Sequence, residues 1–145
     1  MDLHQEWKNG RLPIINGILY ENGAIEWVNI SYDLDYNRVI NRGSNLNIND
    51  LIKDKELHFS AISTSYQTED KKNNIIVSYG GGSYGSEGYV VVESSVNFKL
   101  LWIAFFEEAN PFENLEIIDD KIVVYNNLNE KWTFDISNPS NLSVE

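Results

Sequence analysis

Apolar and polar residues alternate with a period of two over most of this chain, the spacing of a strand with one buried face. Residues 14–20 and 25–30 are β-rich runs on either side of Glu21-Asn22-Gly23-Ala24. An Asn-Gly pair suits the left-handed positions of a tight turn, so the two runs predict a first hairpin. Asp33-Leu34-Asp35-Tyr36-Asn37 reads as a loop, and 38–41 as a short strand. Asn49 is placed to cap a helix of at most two turns through Asp50, Leu51, Ile52 and Lys53, since an Asn side chain accepts a first-turn amide. Alternation returns over 57–66, with Leu57, Phe59 and Ala61 on one face and His58, Ser60 and Ile62 on the other, before a polar turn over 67–74.

A second hairpin is predicted from 75–79 to 88–93 across a glycine-rich connection. Residues 96–106 are apolar on both faces, with Val96, Phe98, Leu100, Trp102, Ala104 and Phe106 alternating against Leu101, Ile103 and Phe105. A strand covered on both sides has this pattern, which makes the segment the predicted central strand. The last part reads as a meander of 115–118, 122–125 and 132–136, turning at Asp119-Asp120 and at 126–129 and ended by Pro139. About nine short strands with at most one short helix predict an all-β fold, an antiparallel sandwich or open barrel, in a single domain over residues 1–145.

At 145 residues the chain has the modal length of one domain, and its apolar fraction of 42% suits a packed core rather than a disordered chain. There is no cysteine, so a disulfide framework and a Cys-based zinc site are both excluded, and the expected compartment is the cytoplasm. The first ten residues lack the basic start and apolar run of a signal peptide. The longest apolar run, 100–106, has seven residues, against the roughly 20 of a membrane-spanning helix. No membrane association is expected.

The net charge of −11, with only 11 basic residues spread along the chain, argues against a nucleic-acid partner, because phosphate neutralisation needs clustered Lys and Arg. The charge is uneven. Residues 106–145 hold nine carboxylates against Lys121 and Lys131. Six of them, Glu107, Glu108, Glu113, Glu116, Asp119 and Asp120, lie within 14 residues around Asn110-Pro111-Phe112. This cluster is either a solvated loop that keeps the chain dispersed or a docking face that steers a basic partner and accepts its arginines.

Other motifs carry less chemistry. Gly80-Gly81-Gly82-Ser83-Tyr84-Gly85 matches the spacing of a dinucleotide fingerprint, but β-branched residues follow where that motif requires a helix, so a hairpin loop is expected. Asp33 to Asn37 imitates the opening of a calcium loop, yet Arg38 stands at the glycine position and Ser44 at the bidentate glutamate position. His4 and His58, the two histidines, have no metal or triad spacing. His4 falls in a terminal stretch expected to be flexible, and His58 on a solvent face. Adjacent carboxylates such as Glu107 and Glu108 point to opposite sides of a strand, and converging acid–base groups are lacking. No catalytic residue, metal ligand or cofactor is predicted. Trp7, Trp27, Trp102 and Trp132 mostly sit in apolar alternation, whereas Tyr79, Tyr84 and Tyr89 surround the glycine loop and are the aromatics expected at the surface, where they would suit a carbohydrate or small ligand.

Two stretches, Trp7-Lys8-Asn9-Gly10 through Leu19-Tyr20-Glu21-Asn22-Gly23 and Trp102-Ile103-Ala104-Phe105-Phe106 through Trp132-Thr133-Phe134, give the chain an overall character that resembles the small immunity proteins of bacterial contact-dependent and polymorphic toxin systems. The resemblance implies a stoichiometric inhibitor whose partner is a cognate basic toxin domain, often a nuclease. It implies no particular binding residues. A ligand- or carbohydrate-binding β module and a small enzyme are the competing expectations.

Overall fold

In the computed structural model, which describes residues 2–145, the chain opens with a helix where flexibility is expected. Helix α1 (Leu3–Lys8) is capped by Asp2, whose side chain accepts from the Gln5 amide at 3.1 Å. Leu3 and Trp7, one turn apart, share the face it buries. His4 is held by Glu93 at 2.5 Å. Strands β1 (Arg11–Pro13), β2 (Gly17–Tyr20), β3 (Ala24–Tyr32) and β4 (Arg38–Asn47) lead to α2 (Ile48–Lys53). Then follow β5 (Phe59–Asp70), β6 (Ile75–Gly82), β7 (Gly88–Ser94), β8 (Leu100–Phe106), β9 (Phe112–Ile118), β10 (Lys121–Asn126), β11 (Lys131–Asp135) and β12 (Leu142–Val144).

The fold is mostly β and all its pairings are antiparallel, in an eight-stranded curled sheet of order β1-β5-β6-β7-β8-β2-β3-β4 and a four-stranded sheet of order β12-β11-β10-β9. Among the described residues the twelve strands exceed the nine or so that alternation predicts, and the helices are two rather than at most one. The extra strands are short, such as β1 and β12, or polar. Gln67 to Asp70 extend β5 against Ile75 to Ser78 of β6 instead of turning, because cross-strand pairing does not require apolar side chains on an exposed face. Gly80, Gly81 and Gly82 likewise complete β6. The helix cap is Asn47, which accepts from the Asn49 amide at 2.9 Å.

The first hairpin forms as predicted, with Gly23 at φ 89° and its amide bonded to the Tyr20 carbonyl at 2.9 Å. The central strand also appears, as β8 between β7 and β2. It starts at Leu100: Val96 and Phe98 stand exposed in the preceding turn, where Phe98 has φ 60°.

Strands β7 and β8 are buried on both faces. Val90, Val92, Trp102, Ala104 and Phe106 join Ile122, Val124, Trp132 and Phe134 of the small sheet in one core. Tyr89, Val91, Ile103 and Phe105 point the other way, into a second core closed by Leu3 of α1, Leu12 and Ile15, and Ile48 of α2. No helix among the described residues is long and apolar enough to cross a membrane.

The small sheet is tied to the large one at both ends. At one end the Trp102 indole donates to the Ile136 carbonyl at 2.9 Å. At the other, Arg38 of β4 makes a two-pronged bond to Glu130, with both contacts at 2.9 Å, and stacks on the Tyr32 ring 4.0 Å away. The Tyr32 hydroxyl and the Asn126 amide also donate to Glu130, at 3.1 and 2.7 Å. Burial alone would raise the Glu130 carboxyl, but hydrogen bonds from Arg38 and Asn126 and the charge of Arg38 outweigh it and hold the group below its ordinary value.

The Arg38 side chain retains only 3% exposure, so Arg38→Ala would leave a largely desolvated carboxylate without its cation. It is expected to cost about 3 kcal/mol, at the low end for a broken buried pair because Glu130 lies near the rim. Urea unfolding that shows less than about 1 kcal/mol would contradict the clamp. A carboxyl held below its ordinary 4.5 contributes stability above that pH and loses it as the pH falls through the lower folded value. Calorimetric Tm should therefore drop between about pH 5 and pH 3, and the drop should be shallower in Glu130→Gln.

Candidate functional site

Glu107, Glu108, Glu113, Glu116, Asp119 and Asp120 are all exposed, but they do not share one place. Glu107 and Glu108 lie in the loop after β8, and Glu113 is the extra residue where the β9–β10 register shifts between Tyr125 and Asn126. Glu116 stands opposite Val123 in mid-strand. Asp119 and Asp120 form the β9–β10 turn, with Asp119 at φ 55°. Strand β9 has seven residues, about 20 Å at the usual rise, so it holds the two groups apart.

Each end of the sandwich acquires its own charge. At the end holding Asp119 and Asp120, the turns mix Lys71, Lys72 and Lys99 with Glu21, and Lys72 reaches Asp119 at 3.3 Å. The opposite rim is built from loops 14–16, 33–37, 83–87, 107–111 and 127–130. These contain Asp33, Asp35, Glu87, Glu107, Glu108 and Glu130 and no Lys, Arg or His. Arg38, at the root of the 33–37 loop, is occupied by Glu130. The α2–β5 connection enters beside Ile14 and adds Lys55 and His58 against Asp54 and Glu56.

The acidic loop 107–111 has its backbone pinned from four directions. Asn16 Oδ1 accepts from the Glu107 amide at 2.8 Å, and the Arg38 guanidinium donates to the Glu108 carbonyl at 3.0 Å. Asn126 donates to the Ala109 carbonyl at 2.8 Å, and the Asn110 amide donates to the Ser86 carbonyl at 2.7 Å. Ala109 itself is fully buried. The Glu107 and Glu108 side chains thus leave a fixed base, so a partner would not have to order this loop on binding.

The neighbouring 33–37 loop is an Asx turn, in which Asp33 Oδ1 accepts from the Asp35 and Asn37 amides, each at 2.9 Å. That oxygen serves the turn rather than a calcium ion. At its tip Leu34 is 99% exposed and Tyr36 84%. Their apolar surface beside Glu108 was not legible as part of the same face, because 70 residues separate Arg38 from the carbonyl it binds.

The aromatics around the glycine run divide. Tyr84 is exposed, and Tyr79 stacks on Tyr66 at 5.4 Å between ring centroids. Tyr89, expected at the surface, is fully buried; its hydroxyl donates to the Thr64 carbonyl at 3.0 Å, and burial pushes its phenol up to about 12. Strand alternation accounts for this, because Tyr89 and Val91 share a face. Trp102 and Trp132 are core residues, while Trp7 meets Tyr89 edge-on at 5.6 Å.

Two concavities open on the acidic side. Glu113, Glu116, Tyr125 and Asn127 line a groove of about 440 Å³. Glu107 lines a smaller one of about 300 Å³ with Ile14, Tyr84, Ser86 and Glu87. A larger groove of about 580 Å³ at the opposite end is lined by Asp2, His4, Glu21 and Lys99. Among the described residues no three His, Asp or Glu side chains are grouped to hold a metal ion. The chain matches no protein-family model, no curated protein and no solved structure.

Proposed function

We propose that the protein is an immunity-type inhibitor that binds a cognate basic toxin domain in the cytoplasm through its carboxylate rim. The observation that carries this reading is the segregation of charge: exposed Asp33, Asp35, Glu107 and Glu108 gather at one end on loops that lack lysine and arginine, with Glu113 beside them at the start of β9. Such a surface steers a basic protein toward it and offers its arginines charge-assisted hydrogen bonds. Leu34, Tyr36 and Tyr84, exposed on the same rim, supply the apolar anchors that charge alone does not. Occupying a nuclease cleft with carboxylates in place of phosphates would neutralise the toxin without any chemistry.

The docking face is narrower than the linear cluster. Glu107, Glu108 and Glu113 belong to it, Asp33 and Asp35 join it, and Asp119 and Asp120 fall at the far end. A second reading, a carbohydrate-binding module, is favoured by the exposure of Tyr36, Tyr84 and Tyr66, the last stacked on Tyr79.

With the basic toxin domain encoded beside this gene, charge reversal of Glu107 and Glu108 to lysine is expected to slow association about tenfold or more at low salt and to flatten its salt dependence. Reversal of Asp119 and Asp120 should change the rate less than about threefold, since the two groups are separated by more than a Debye length. Stopped-flow fluorescence reads both. Equal effects from the two pairs would refute the rim, and a neighbouring gene product that neither binds nor is basic would refute the inhibitor. A glycan array with specific hits lost in Tyr84→Ala would favour the second reading instead.

A further inference from the structure

Glu87 is a carboxyl with 2% residual exposure at the floor of the cavity between Ile14, Tyr84, Ser86 and Glu107. One of its oxygens, Oε1, accepts from the hydroxyl of Ser60, itself 1% exposed. The other, Oε2, has no hydrogen-bond donor among the described residues. The site is built around this group: a Cβ at Gly82 would lie 1.9 Å from Glu87 Oε1 and 2.7 Å from Ser60 Oγ. One step along, a Cβ at Gly81 would lie 2.7 Å from Pro111 of the pinned loop. The glycine run therefore clears room for the carboxyl and for the loop that carries Glu107.

With one oxygen engaged by Ser60, the other remains able to accept a hydrogen bond from an incoming donor. The cavity walls offer it a second carboxyl, a phenol, a hydroxyl and an aliphatic side chain, but no cation. Its volume of about 300 Å³ is at the lower limit of ligand pockets and suits one side chain rather than a whole metabolite. We propose that this cavity receives an arginine side chain of the partner protein, the guanidinium between Glu87 and Glu107 and its plane against Tyr84. Guanidinium fits better than ammonium because it is planar, stacks on aromatic rings, sheds water more readily and donates to two carboxyls at once. The inference rests on the rim being the docking face and names the contact at its centre.

The test needs no toxin. The full chain, labelled with ¹⁵N, is titrated with N-acetylarginine amide, its neutral isostere N-acetylcitrulline amide, and N-acetyllysine amide. Saturable shifts at Tyr84, Ser86, Glu87 and Glu107 are expected for the arginine probe, with at least about tenfold weaker binding in Glu87→Gln. Tyr84→Ala, at a side chain 72% exposed, should weaken it about threefold while leaving the core untouched, which covers the case in which Glu87→Gln does not fold. Citrulline shifting the same residues equally, lysine binding as tightly, or shifts centred on Asp119 and Asp120 would overturn the proposal. If the arginine probe binds here but no toxin domain does, the inhibitor reading fails and the cavity stands. If a toxin domain binds Glu87→Gln undiminished, the cavity fails alone.

Discussion

Val90, Val92, Trp102, Ala104 and Phe106 project from one side of β7 and β8, and Tyr89, Val91, Ile103 and Phe105 from the other. Neither set can be left in water. At roughly 2 kcal/mol for each large side chain, exposing either would forgo on the order of 8 kcal/mol, as much as the whole net stability of a typical domain. The chain must therefore cover this strand pair twice. It does so with the four-stranded sheet on one face and with α1, β1 and α2 on the other. The short N-terminal helix belongs to that requirement, because Leu3 closes the second core.

Covering the pair with a separate sheet creates a seam, and the seam shapes the rim. Arg38 ties β4 to Glu130 before β11, and its Nη2 also donates to the Glu108 carbonyl. Asn126 similarly holds both Glu130 and the Ala109 carbonyl. The same side chains that join the sheets thus set the loop from which Glu107 and Glu108 project. One basic residue is spent inside the seam, which leaves the carboxylates outside it uncompensated. Structure and surface charge are coupled through Arg38.

The alternation of apolar residues made the fold class, the first hairpin, the two-faced central strand and the C-terminal meander legible from the chain. What it hid were elements with other warrants. β1 and β12, of three residues each, are too short to show a period. The end of β5 is polar because it pairs along an exposed face, and Gly80 to Gly82 have no side chain to alternate. The acidic cluster was legible as composition but not as a surface. Antiparallel strands send successive turns to opposite ends, so Glu107-Glu108 and Asp119-Asp120, the two flanks of β9, stand at opposite ends of the sandwich rather than in one patch. Asp33 and Asp35 match locally only the opening of a calcium loop. Their membership of the rim depends on the Arg38–Glu108 contact, which no local pattern encodes.

The two ends of the sandwich differ in how their lysines are distributed. At the opposite end Lys71, Lys72 and Lys99 alternate with Glu21, Asp119 and Asp120, the mixture expected when charge only keeps a protein dispersed. At the rim the exposed carboxylates have only Lys55 and His58 of the α2–β5 connection near them, and their mutual repulsion is screened mainly by salt. That repulsion gives the fold nothing, and a few lysines in these loops would relieve it. On the proposed reading the same field would favour the docking of a basic partner. Glu87 takes the same logic inward. On the proposed reading, the Glu87 oxygen that Ser60 does not engage would accept from an arriving guanidinium.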